Sequence, residues 1–162
     1  YDFLIRALAK YEQEYSLDIV GDGPERQNLL ELISELGLTD KVRLLGNTSD
    51  EKKFELLQGS DVFVMSSSTR AEAFGVVLLE AMSVGTRLLV ANIAGSGVPT
   101  VASCSTYNER YEVNNQQDFL NKLRKIQDNF VDDAKIRSEI IGSVQQKYSI
   151  EKIGDEFLTH LF

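Results

Sequence analysis

Four short apolar runs recur along the chain: LDIV at 17–20, VRLLG at 42–46, DVFVM at 61–65 and RLLVA at 87–91. Each reads as a short buried strand. Between them the apolar spacing lengthens to the helical period. Leu4, Leu8 and Tyr11 with Ile5 beside them form one stripe, and Leu29, Leu30, Ile33 and Leu36 form another. Strands alternating with helices of crossover length restrict the chain to the α/β class, an open parallel sheet with helices on both faces. At 162 residues the length suits a single domain with one sizeable core.

Local signals set the expected boundaries. Pro24 suits the first position of a helix over 25–36, and Gly37 suits a left-handed C-terminal cap. Ser49 or Asp50 can cap a helix carrying Phe54, Leu56 and Leu57. After Gly75, VVLLEAMSV reads as a helix running to Gly85. From 95 to 113 the pattern weakens to loop with two short strands, around 100–102 and 111–113. Asn115 can cap a helix with Phe119, Leu120, Leu123 and Ile126; a second helix follows over 134–148. A last one is expected after Ser149, with Ile150, Ile153, Phe157, Leu158 and Leu161 on one stripe, facing either its own sheet or a further domain.

Composition narrows the partners. The net charge is −8, with no local basic cluster, which argues against nucleic acid or an anionic membrane surface. Cys104 is the single cysteine, so no internal disulfide or cysteine-pair zinc site can form, and without a histidine nearby in sequence it reads as packing rather than a nucleophile. YDFLIRALAK does not read as a signal peptide, and no apolar run approaches about 18 residues. We expect a soluble domain of a reducing, cytoplasmic compartment.

In an open parallel sheet, ligands bind beyond the carboxyl ends of the strands. Three polar, glycine-bearing loops fall on that edge: GDGPE after Val20, GNTSD after Leu45 and SSSTRAEAFG after Met65. Arg26 occupies the third glycine position of a dinucleotide fingerprint, so that cofactor class is disfavoured. The first loop then serves either as a plain turn or as an approach to a phosphate. Glu72 and Glu80 at their fixed spacing mean little alone, because most glutamates are solvated. Their setting adds meaning: EAFG precedes a helix whose first free amides, from Phe74 to Val77, form an anion site. Gly75 lets a ligand approach the backbone, and Glu80 lies where a carboxylate can accept from the two hydroxyls of a ribose.

The segments VGDGPE, VRLLGNTSDEKKFELLQGSDVFVMSS, AEAFGVVLLEAMSVG and LLVANIAGSGVP, in that order and spacing, resemble the C-terminal domain of retaining glycosyltransferases of family four. The resemblance implies the Rossmann-like, nucleotide-sugar-binding half of the two-domain GT-B architecture. It implies a transferase moving a sugar from a nucleotide-diphosphate sugar to a saccharide or lipid-linked acceptor, as in polysaccharide biosynthesis, with no cofactor and no metal. By position, Glu72 would contact the donor sugar as the catalytic carboxylate, and Glu80 would bind the ribose. Phe74, Gly75, Val76 and Val77 would hold the diphosphate or donor sugar; Gly21 and Gly23 would line the nucleotide cleft, and Leu45 and Gly46 would lie against the base.

The resemblance further implies that residues 1–162 are one donor-binding domain lacking a first strand, the arginine and lysine of the loop after it, and an N-terminal acceptor domain. The whole protein would then be cytoplasmic, with any association at the inner face of the membrane made through the missing domain. Thr86 and Arg87 replace the family's basic residue and proline, and CSTYNERYEV replaces its glycine-containing segment, which reads as a variable surface loop. Two alternatives stay open: another sugar-nucleotide enzyme, such as a sugar-phosphate synthase, and a degenerate domain kept as an interaction module.

Overall fold

The computed structural model describes residues 1–67, 75–129 and 133–148. Glu72, Phe74 and the stripe expected after Ser149 lie outside the described residues.

In chain order the elements are α1 (Asp2–Leu8), β1 (Leu17–Val20), α2 (Arg26–Glu35), β2 (Val42–Gly46), α3 (Asp50–Gly59) and β3 (Val62–Met65). They continue with α4 (Val76–Ser83), β4 (Arg87–Ala91), α5 (Val98–Ala102), β5 (Glu109–Tyr111), α6 (Gln116–Asp128) and α7 (Asp133–Tyr148). All strand pairs between these elements are parallel, β1 with β2 and β4 with both β3 and β5.

The expected single sheet is instead two sheets, because the edges of β1 and β3 share no ladder. A cleft of about 1080 Å³ lies there, lined by both strands, by α1 and by α3.

β4 is buried along its whole length. Leu88 and Val90 pack with Leu78, Met82, Val98, Val101 and Ile140 of α4, α5 and α7. Leu89 and Ala91 pack on the opposite face with Leu4, Leu8, Phe119 and Leu120 of α1 and α6. That alternation is the period of a strand covered on both sides, and it puts helices on both faces of the sheet. A third cluster joins Ile19 and Val42 to Leu29, Leu32 and Ile33 of α2, and takes Ile5 from α1. Thus α1 contributes to both sheets. Phe3 fixes it on one side, stacking on Tyr111 at 5.8 Å and meeting Phe119 edge-on at 6.0 Å.

Several terminal signals act as expected. The Ser49 hydroxyl accepts from the Lys52 amide, and the Asn115 side chain accepts from that of Asp118. Gly37 takes φ 66°, with its amide donating to Ser34 and that of Leu38 to Ile33, a Schellman closure. Pro24, by contrast, precedes the N-cap Glu25 and belongs to the turn.

The expected strand around 100–102 is α5, because Pro99 opens a helical turn that buries Val98, Val101 and Ala102 on one side. The next strand ends at Tyr111 instead of centring on 111–113. Nor is this segment merely a surface loop: the Asn108 side-chain Oδ1 accepts from the Leu88 amide at 2.9 Å, while its Nδ2 donates to the Ala102 carbonyl at 3.0 Å.

At the entry to β4, Thr86 donates to the Leu57 carbonyl, and the buried Arg87 donates to Asp133 at 2.8 Å. Arg137 shares that carboxylate at 2.7 Å and reaches the Gln58 and Ser60 carbonyls at the end of α3. The two departures at 86 and 87 therefore serve the strand entry. Among the described residues, no helix is long and apolar enough to cross a membrane.

Burial pushes the Asp133 carboxyl up, but hydrogen bonds from Arg137 and then Arg87 outweigh it and hold the group below its ordinary 3.8. Its stabilising contribution is therefore present in full above about pH 4 and is lost as pH falls through the lower folded value. Asp133→Asn should remove that component of the pH profile and cost about 2 kcal/mol at pH 7, a modest figure because the carboxylate is partly exposed. Urea unfolding across pH measures both effects.

Candidate functional site

Parallel pairing puts the ends of β1 and β2 side by side in one sheet, and Val20 at the end of β1 lines the same cleft as Ser66, Ser67 and Val77, which follow β3. Between β1 and β2 the register slips: Ile19 pairs with Leu44, but Val20 pairs with Gly46. Leu45 is the residue left over, and the bulge leaves it 37% exposed at the end of the strand. Just beyond, the Gly21 amide donates to the Gly46 carbonyl at 2.8 Å, with φ of 119° and 69° at the two glycines. A Cβ on Gly21, Gly23 or Gly46 would meet nothing within 4 Å, so this turn presents bare backbone. The Asp22 side chain accepts from the Gly23 amide, and Arg26 donates to the Leu44 carbonyl at 3.2 Å, tying the start of α2 to β2.

The third loop enters α4 through Gly75. This residue is the N-cap in the left-handed region, φ 70° and ψ 57°, and its carbonyl accepts from the Leu78 amide. The amides of Val76 and Val77 are the first of the helix, positions without an acceptor inside it, at the positive end of its dipole. Val76 is 63% exposed, whereas Leu78 is fully buried.

Glu80 is the one ionisable side chain of α4, and about a quarter of it is exposed. Its Oε1 accepts from Lys53 Nζ at 2.9 Å; Lys53 also pairs with Asp50 at 3.1 Å. Hydrogen bonding to Glu80, and then to Asp50, raises the Lys53 ammonium above its ordinary pKa.

Of the residues expected at the site, the structure joins Gly21 directly to Gly46, exposes Leu45 beside them, makes Gly75 the N-cap of α4, and sets Val76, Val77 and Glu80 on that helix. Sequence reasoning missed Lys53 and Arg26. For Lys53 a signal existed: it lies near the N-terminal end of α3, where the dipole favours acids such as Asp50 and Glu51. A cation there finds its partner elsewhere. These loops and α4 offer bare backbone, a helix N-terminus for an anion, and a carboxylate for hydroxyl groups.

The family model for glycosyl transferases group 1 matches residues 1–140. The lipopolysaccharide core biosynthesis glycosyltransferase LpsD of Rhizobium meliloti (strain 1021) is 41% identical over 100 residues, which are 62% of this chain and 24% of LpsD. Anabaena Alr3699/HepE in complex with UDP has the same fold, with a TM-score of 0.80 at 23% identity over 98% of this chain and 44% of that one. The catalytic domain of cholesterol-alpha-glucosyltransferase from Helicobacter pylori gives a TM-score of 0.74 at 25% identity, covering 89% of this chain and 87% of that one. The chain spans roughly a quarter to a third of the length of the curated relatives it matches.

Gly75→Ala would put a Cβ 2.9 Å from Leu78 Cδ1 and hold an L-residue at φ 70°. We expect a loss of about 1–2 kcal/mol in urea unfolding from the left-handed backbone alone. An unchanged midpoint would show that the helix can start without this geometry.

Proposed function

The chain belongs to the glycosyl transferases group 1 family through the match over residues 1–140, and from that premise we propose that it is the nucleotide-sugar-binding half of a retaining, family-four glycosyltransferase that works without a metal ion. One observation carries the reading: bare glycine backbone follows β1 and β2, the positive end of α4 follows β3, Val20 and Val77 line one cleft, and the helix's one carboxylate follows a turn later. The first two suit a nucleoside diphosphate and the third suits its ribose.

In this reading Gly21, Gly23, Leu45 and Gly46 line the nucleotide cleft, and Glu80 accepts from the ribose hydroxyls. The amides from Phe74 to Val77 meet the diphosphate or donor sugar, and Glu72 contacts that sugar. The UDP held by Anabaena HepE supports a nucleotide-sugar donor. The acceptor hydroxyl attacks the anomeric carbon from the face the diphosphate leaves. The carbon–oxygen bond to the diphosphate breaks, and the acceptor proton passes to the departing phosphate oxygen. The protein's part is positioning and charge stabilisation. The acceptor is a saccharide or a lipid-linked sugar, met through an N-terminal domain. The protein works in the cytoplasm, with any contact at the inner membrane face made through that domain.

The cleft between β1 and β3 supports the reading that the donor domain has one more strand. Parallel neighbours lie about 4.8 Å apart, so a strand set between the two edges would pair with both and merge the sheets. Tyr1 lines the cleft at the head of α1, where a strand running into α1 and on to β1 makes a crossover unit.

Extending the chain upstream of Tyr1 should then raise the urea m-value and protect β1 and β3 amides from exchange. Equal protection with and without the extension would count against the added strand. In the full-length protein, Glu80→Ala should weaken nucleoside diphosphate binding about tenfold to a hundredfold by calorimetry. Transfer is followed with UDP-, GDP- and ADP-sugars, and the product's anomeric configuration is read by NMR. Absence of both nucleotide binding and transfer would leave an interaction module in place of an enzyme.

A further inference from the structure

We infer that Lys53 is a positioning residue for the Glu80 carboxylate, and that it sets how strongly the site selects a ribose with both hydroxyls. This rests on the donor-site reading of Glu80. A carboxylate that is three-quarters covered, on a helix otherwise without charge, is held in one orientation only if a partner fixes it. Lys53 supplies it from α3, a separate element, and is itself only 28% exposed.

The geometry is one-sided. Lys53 engages Oε1, and among the described residues Oε2 makes no hydrogen bond. A carboxylate oxygen accepts more than one hydrogen bond, so a vicinal diol can use Oε2 and the remaining lone pair of Oε1 while Lys53 stays in place. Lys53 is restrained in turn. Asp50 holds the same ammonium at 3.1 Å, and the Phe54 ring lies 5.3 Å from it. The Ser49 cap fixes the first turn of α3, and so fixes where the lysine stem starts. Asp50, Lys53 and Glu80 thus form a chain of alternating charge from α3 to α4.

A merely stabilising surface pair would be worth little and would be blind to the sugar. A positioning role instead appears as a change in ribose selectivity. Calorimetry on the full-length protein with UDP and GDP, each against its 2′,3′-dideoxy counterpart, measures it. Lys53→Met should lower the ribo-to-dideoxy affinity ratio about tenfold while leaving the dideoxy affinity and the melting temperature near the parent values, and Lys53→Arg should restore most of the ratio. Glu80→Gln should lower the ratio too. If Lys53→Met keeps the parental ratio, or weakens both forms equally, the inference is overturned. If the parent shows no ribose preference and Glu80→Gln changes nothing, the donor-site reading falls, and this inference falls with it.

Discussion

The entry to β4 governs how the rest of this domain is held. A guanidinium at a buried strand start is costly to desolvate unless anions and carbonyls surround it, and Asp133 supplies a carboxylate that Arg87 and Arg137 share. Arg137 extends the network to the carbonyls at the end of α3, and Thr86 donates to Leu57 in the same helix. One polar cluster therefore registers β4, α3 and α7 against one another. With β4 fixed, its alternating side chains place α4 on one face and α1 with α6 on the other. The candidate site inherits its geometry from this arrangement, since α3 carries Lys53 and α4 carries Glu80.

A second device holds the halves together. The strands fall into two groups with no ladder between them, and α1 contributes apolar side chains to both clusters. The aromatic contacts of Phe3 with Tyr111 and Phe119 anchor that helix to the larger group, and Ile5 reaches the smaller. Burial pushes the Tyr111 phenol up to about 12, as its place in that apolar stack requires. The cleft between β1 and β3 is thus flanked by a helix that is packed against both groups of strands.

Much of this could be read from residue order, for identifiable reasons. Short apolar runs and helical stripes are local patterns, and so are the caps at Ser49, Gly37 and Asn115; among the described residues these strands, helices and caps appear where the pattern puts them. The segment from 95 to 113 was less legible because its order comes from distant partners. Asn108 completes the start of β4, and α5 is a five-residue helix whose helical face is defined by burial. The gap between the sheets could not be read from spacing, because strand pairing is a property of edges; only the resemblance, with its missing first strand, implied an absent neighbour. At the site, the glycines and Glu80 could be marked by position, while Lys53 carried only the signal of a cation near a helix N-terminus and takes its meaning from a partner 27 residues away.

The Asp133 clamp also dictates an order of events during synthesis. The apolar face of β4 can begin to pack once α4 and α5 are made, but the charge at its entry is answered by residues 133 and 137, some forty-six positions later. Until those residues leave the ribosome, the central strand carries an arginine at its buried start without the carboxylate that it meets in the folded domain. The final seating of the core, and with it the alignment of the helices that carry the site, is thereby deferred until the start of α7 emerges.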